Sequence, residues 1–266
     1  MLYVHGAKTD FQKAVTPARW AMAALLFRLF FASPGTGADM PVEILGSPDA
    51  AECVVVLHGL ARTRGSMHKM AQALANAGFR VVNIDYPSRK KSIEDVAAQE
   101  VTAGLRCCQE SGAHRVHFVT HSLGGIVVRE ALSRDKPPNL GRVVMLSPPN
   151  RGSFVAERLK GWWLYRWLNG PAGQELGTGP DSLPNRLGAV DYEVGVITGN
   201  RHAFFDAWFA SLSPDANDGK VSVDDARVDG MSDFLVVPES HPFIMKADEV
   251  IAQTIYFLRH GRFRRP

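Results

Sequence analysis

Six short runs rich in Val, Ile and Leu punctuate the chain between residues 53 and 237, and amphipathic or glycine-rich stretches separate them. The runs are Cys53 to Leu57, Arg80 to Asp85, Val116 to Thr120, Arg142 to Leu146, Tyr192 to Thr198 and Phe234 to Val237. A strand that is apolar on both faces must be covered on both faces. Alternation of such strands with amphipathic segments therefore predicts an α/β fold, a mostly parallel central sheet with helices on either side.

The intervening stretches agree with that layering. Ser92 followed by Glu94 and Asp95 reads as a capped helix start, with acids suited to the positive end of the helix dipole. Ile93, Val96, Ala97, Val101 and Leu105 then fall on one face. A last helix is predicted from about Asp248 to Arg259, with Val250, Ile251, Thr254, Ile255 and Leu258 inward. Ser147 to Asp191 lacks a strand pattern and is rich in Gly, Pro and Trp, so 150–190 is read as a lid-like helical insertion above the sheet.

A chain of 266 residues with 45% hydrophobic content can fill one core of this kind, so residues 41–266 are read as a single domain. The formal charge of +3 is mild and no basic run is interleaved with aromatics beyond the tail Arg259 to Arg265, which argues against a nucleic-acid partner. Cys53, Cys107 and Cys108 show neither metal-ligand nor disulfide-framework spacing, so they are read as ordinary thiols. In residues 1–40 the apolar stretch Trp20 to Ala32 stands apart: it is short of a bilayer span and broken by Arg28. Three readings stay open for it: a signal peptide, a membrane-surface anchor, and a helix packed on the domain. A cytoplasmic or membrane-associated location is favoured, with export as the alternative.

The most chemically specific segment is Val116 to Arg129, where an apolar strand ends in Thr120-His121-Ser122-Leu123-Gly124-Gly125 and a helical stretch follows at once. A serine on a sharp strand-to-helix turn projects its hydroxyl above the sheet edge, and small neighbours let the helix approach the strand. Thr120 stands where the usual G-x-S-x-G pattern has its first glycine, and a β-branched residue suits a strand end. The plainer alternative is a serine that only caps a helix.

With His58-Gly59-Leu60 directly after the first strong strand, the sequence resembles the bacterial lipase and esterase branch of the α/β-hydrolases from about Cys53 to the C-terminal helix. The resemblance implies an α/β-hydrolase fold and an oxyanion hole built from the backbone N–H groups of Leu60 and Leu123, with His58 bracing the turn. It also implies the chain order Ser, acid, His for a catalytic triad. Asn217-Asp218-Gly219-Lys220-Val221 is similar to the acid loop of those lipases, which makes Asp218 the candidate acid over the nearby Asp215, Asp224 and Asp225. His241 follows the final strand and is the candidate base; His202 is the competitor, on the loop after the strand that carries the acid. The side chain of His121 is expected to point away from Ser122. Ser147 to Ser153 resembles a Pro-x-x-Gly-Ser stretch bordering the active site, with Arg151 and Ser153 organising the loop.

A serine hydroxyl needs an adjacent imidazole held by a buried carboxylate. The resemblance implies hydrolysis of carboxylic esters, small or lipid, without metal or organic cofactor. Thioesterase, amidase and acyltransferase chemistry would use the same triad, and a non-catalytic lipid- or membrane-binding protein is the alternative of a different class. Trp162, Trp163 and Trp167 are candidate substrate contacts in the insertion, against the alternative that they glue it to the sheet. Asp85, Arg62 and Arg64 are assigned loop hydrogen bonds and no catalytic role.

Overall fold

The computed structural model describes residues 42–213 and 215–265. The readings of residues 1–40 and of Trp20 to Ala32 therefore lie outside the described residues.

Seven strands form one sheet in the order β1-β3-β2-β4-β5-β6-β7. They are β1 (Val42–Leu45), β2 (Glu52–Leu57), β3 (Arg80–Ile84), β4 (Arg115–His121), β5 (Leu140–Leu146), β6 (Val194–Gly199) and β7 (Asp233–Val237). Six match the apolar runs. The seventh, β1, was not expected; it is a four-residue edge strand antiparallel to β3, while all other pairings are parallel. Its half-exposed sequence Val-Glu-Ile-Leu is too short to carry a readable period.

Successive strand residues point to opposite faces, and each face has its own core. On one side Cys53, Val55 and Leu57 pack with Ile93, Val96, Val101, Leu123 and Val127. On the other Val54 and Val56 pack with Met70, Leu74, Val250 and Phe257. The first face is covered by α2 (Ile93–Val96), a π-helical turn at Ala97–Val101, α3 (Thr102–Glu110) and α4 (Leu123–Arg134). The second is covered by α1 (His68–Asn76) and α8 (Asp248–His260). Ser92 caps α2 as its sequence predicts, its hydroxyl accepting from the Asp95 amide at 3.1 Å.

The cysteine reading is corrected. Cys53 on β2 and Cys108 on α3 form a disulfide with a Cα–Cα distance of 5.7 Å, and Cys107 alone remains a thiol. The pairing is tertiary: an inward strand residue meets the inward face of the covering helix 55 positions later. No local spacing could carry that information.

Between β5 and β6 the chain forms α5 (Phe154–Leu159), α6 (Trp163–Gln174) and α7 (Leu183–Arg186). Helix α6 is kinked at Gly170, whose φ of 63° places it in the left-handed region ahead of Pro171. Arg129, inside α4, holds both roots of this insertion. Its guanidinium donates to Asn150 O (2.9 Å), Asn150 Oδ1 (3.2 Å), Pro184 O (3.1 Å) and Gly188 O (2.6 Å). Burial pulls its pKa down to about 10, still far above neutrality, so the cation remains charged; both terminal nitrogens find oxygen, and only the buried Nε has no partner among the described residues.

Candidate active site

All parallel strands deliver their carboxyl ends to one edge of the sheet, and the loops that leave this edge build the site. Ser122 sits between β4 and α4 with φ 53° and ψ −121°, a conformation disfavoured for a residue with a Cβ. The turn exists because its surroundings leave room. A Cβ on Gly124 would stand 2.9 Å from the carbonyl oxygens of Leu57 and His58, and one on Gly125 would stand 3.0 Å from Pro148 Cβ. Thr120, in the position of the missing glycine, is fully buried at the strand end.

The acid loop follows β6. Asn217 Oδ1 accepts from the Gly219 amide at 2.9 Å, and Gly219 takes φ 103°, so the chain reverses and Asp218 turns inward. Asp218 is fully buried. Its Oδ1 accepts from the amides of Lys220 (3.0 Å) and Val221 (2.9 Å), and its Oδ2 faces His241 Nδ1 at 2.8 Å. Burial alone would raise its pKa. The imidazole charge and hydrogen bond of His241, with the Val221 amide, outweigh burial and hold the carboxyl below its ordinary value.

His241 lies after β7, and its own amide donates to Asp218 O at 2.9 Å, fastening the two loops together. Its Nε2 stands 3.0 Å from Ser122 Oγ. Hydroxyl, imidazole and carboxylate from three separate loops thus form one continuous hydrogen-bonded row. Gly199, at the end of β6, makes this closeness feasible: a Cβ there would meet Glu239 O at 2.2 Å and Asp218 Cβ at 3.1 Å. The competitors lie nearer solvent. Asp215, Asp224 and His202 are exposed and Asp225 is half-buried.

The His58 turn closes the other side. His58 Nδ1 lies 2.8 Å from Gly59 O, its Nε2 accepts from the Tyr86 amide at 3.2 Å, and its ring stacks on Tyr86 at 4.0 Å. Asp85 Oδ1 takes the Arg64 amide at 3.1 Å. A Cβ on Gly59 would be 2.8 Å from His121 Nδ1 and 3.1 Å from Ser122 Cβ, so the turn presses directly on the elbow. Leu60 is the next residue, while Leu123 opens α4, where first-turn amides have no intrahelical acceptor. Ala61, Ser122 and Ser147 are the non-glycine residues with positive φ among the described residues, and all three lie in this rim.

One contributor escaped sequence reasoning. His121 runs beneath the histidine loop, with Nε2 3.0 Å from His241 O. A carbonyl acceptor requires a protonated Nε2. Burial, reinforced by the charges of His241 and Arg62, keeps its pKa well below the usual histidine value, so the ring is a neutral brace. Behind the acid loop, Asp206 is buried against Gly219. Its carboxyl pKa is raised, chiefly by burial, against the pull of Lys220. Arg151 pairs with Asp229 at 2.9 Å, and Ser153 Oγ donates to Lys220 O at 2.8 Å, tying the insertion to the acid loop.

Trp163 and Trp167 do not glue the insertion. Tyr165, Ala172, Leu176 and Leu183 pack into the core there, whereas Trp162 is half-buried and Trp163 and Trp167 are exposed. A Cβ on Gly173 of α6 would touch Leu60 Cδ2 at 3.4 Å, so the insertion rests on the His58 turn. Among the described residues no group of His, Cys, Asp and Glu side chains has a metal-binding arrangement, and no helix is long and apolar enough to cross a membrane.

The family model described as the alpha/beta hydrolase family matches residues 54–261, and the chain belongs to that family. Among solved structures it is similar to the mature lipase BlEst2 of Bacillus licheniformis, with 21% identity, a TM-score of 0.64, and coverage of 82% of this chain and 97% of that one. It is also similar to the phospholipase PlaB of Legionella pneumophila, with 21% identity, a TM-score of 0.62, and coverage of 79% and 59%. A curated protein of Mycobacterium phage D29, whose name proposes a non-heme haloperoxidase, is 30% identical over 128 residues. That match takes in 45% of this chain and 39% of the phage protein, so the chain spans about two-fifths of the relative's length.

Proposed function

We propose that the protein hydrolyses carboxylic esters through a Ser122-His241-Asp218 triad and an acyl-enzyme intermediate. The observation that carries this reading is the row Ser122 Oγ, His241 Nε2, His241 Nδ1, Asp218 Oδ2, with separations of 3.0 and 2.8 Å at its two links. Asp218 fixes the proton on Nδ1, which leaves the Nε2 lone pair facing the hydroxyl. Ser122 Oγ attacks the ester carbonyl carbon while its proton passes to Nε2. The tetrahedral oxyanion is met by the amides of Leu60 and Leu123, each donor lowering the barrier by about 3 kcal/mol. Collapse breaks the bond to the leaving oxygen, which takes the proton from Nε2. Water then repeats the sequence on the acyl-enzyme, releasing the acid and restoring Ser122.

The lipase and phospholipase names of the fold neighbours support esters of lipid type as substrates. A fluorophosphonate probe tests the mechanism: the parent chain is expected to be labelled and Ser122→Ala to be unlabelled. Absence of labelling in the parent would instead support a non-catalytic binding protein. Rates on p-nitrophenyl esters from acetyl to palmitoyl then read the acyl preference, and a chain that is labelled yet turns over none of them points to amide, thioester or transfer chemistry.

A further inference from the structure

The described domain exposes few large apolar side chains, and the aromatic ones share one rim. Trp163 and Trp167 are 71% and 69% exposed, Phe204 is 98% exposed, and Trp208 and Phe243 are each 43% exposed. Trp163 and Trp167 belong to α6, after β5; Phe204 and Trp208 lie in the short helical turns at Phe204–Asp206 and Ala207–Ala210, after β6; Phe243 follows β7. Each segment leaves the carboxyl end of a parallel strand, the same edge at which Ser122, Asp218 and His241 meet. The exposed aliphatics Ile44 and Val236 lie instead on the two outermost strands.

Trp163 and Trp167 stand four residues apart on one face of α6, with Tyr165 turned into the core. Cations surround them. Arg158, Lys160 and Arg166 are exposed in this stretch, and Glu157 answers only Lys160, at 2.6 Å. Arg201 precedes Phe204 and Lys246 follows Phe243, both exposed; carboxylates share this edge, with exposed Asp181 in the insertion, exposed Asp215 and Asp224 and half-buried Asp225 after β6, and half-buried Glu239 after β7. Aromatic rings flanked by Arg and Lys suit the boundary between headgroups and acyl chains, where the ring enters the apolar layer and the cation meets phosphate.

We propose that this rim docks on the surface of an anionic lipid layer, with Trp163 and Trp167 on the insertion side and Phe204 on the acid-loop side of Ser122. Charge complementarity of the Arg158–Trp167 stretch argues for headgroups bearing phosphate rather than for a second copy of this chain, which would bring the same cations face to face. The proposal deepens the ester-hydrolase reading, since an enzyme seated this way meets its esters in the lipid layer. It is tested without catalysis, so the two readings fail separately.

The measurement is vesicle flotation with the full chain carrying Ser122→Ala, using phosphatidylcholine vesicles with and without phosphatidylglycerol. Binding is expected to be stronger with phosphatidylglycerol and to weaken as salt is raised. Adding Trp163→Ser, Trp167→Ser and Phe204→Ser is expected to weaken it by about tenfold or more, with an unchanged thermal midpoint because the replaced side chains are exposed. Arg158→Glu with Arg166→Glu is expected to abolish the phosphatidylglycerol preference. No binding to either vesicle would overturn the proposal. So would binding that the aromatic replacements leave intact, which would assign attachment to another part of the chain. A dimer in sedimentation that those replacements dissociate would give the surface to a second copy and overturn it as well.

Discussion

Replacing Asp218 with Asn changes a single atom type, and the hydrogen bonds around it decide the outcome. Oδ1 of Asp218 accepts from two amides, Lys220 and Val221, at 3.0 and 2.9 Å. In Asp218→Asn those amides still demand an oxygen, so the new NH2 group takes the place of Oδ2 and donates to His241 Nδ1. The neutral imidazole must then carry its proton on Nε2, where it donates to Ser122 instead of accepting from it. Flipping the amide restores the tautomer only by setting NH2 against two buried amides, at about 1–3 kcal/mol for each unmet group. The imidazolium formed during attack also loses its anionic partner. Together these raise the barrier by about 5 kcal/mol, a fall of roughly 10³- to 10⁴-fold in kcat. KM on p-nitrophenyl butyrate should hardly move, because Asp218 is fully buried behind the imidazole. The thermal midpoint should report an intact fold. A kcat within tenfold of the parent would refute the tautomer argument.

Gly59→Ala is expected to lower kcat by roughly 100-fold, because the new methyl group would sit 2.8 Å from His121 Nδ1 and must displace the turn from the elbow; fluorophosphonate labelling rates would check it. Reduction of the disulfide, or Cys53→Ala with Cys108→Ala, releases a loop spanning 55 positions and should cost about 4 kcal/mol in urea unfolding. Stability should also fall with acidification. Burial, opposed by Glu52, holds the His117 pKa down to about 4, below its unfolded value of about 6.5. A histidine depressed in this way contributes stability above about pH 6.5 that is lost progressively as pH falls towards 4, about 3 kcal/mol in all. Urea midpoints between pH 7 and pH 4 should show this slope, flattened in His117→Gln.

The parallel sheet was legible because strands buried on both faces must be apolar throughout, as Val54 to Leu57 and Val143 to Leu146 are. The elbow and the acid loop were legible because their conformations are enforced within five or six residues, by Gly124, Gly125 and Gly219. What escaped were relationships between distant segments. Strand β1 owes its existence to the edge of β3, not to its own four residues. The disulfide records where a helix lands on a strand. His121 was read as merely turned away, and its partnership with the His241 carbonyl appears only when β4 and the final loop lie side by side. The exposed aromatics show the converse: Phe204 is apolar in sequence, yet it is left in solvent.

Arg129 gathers the entry and the exit of the insertion onto the helix behind Ser122, binding Asn150 at one end and Pro184 and Gly188 at the other. The stretch between those anchors therefore behaves as a replaceable cassette. Its outward residues can be exchanged to retune which molecules reach Ser122, provided the oxygens that grip this guanidinium and the inward Tyr165, Ala172, Leu176 and Leu183 are kept.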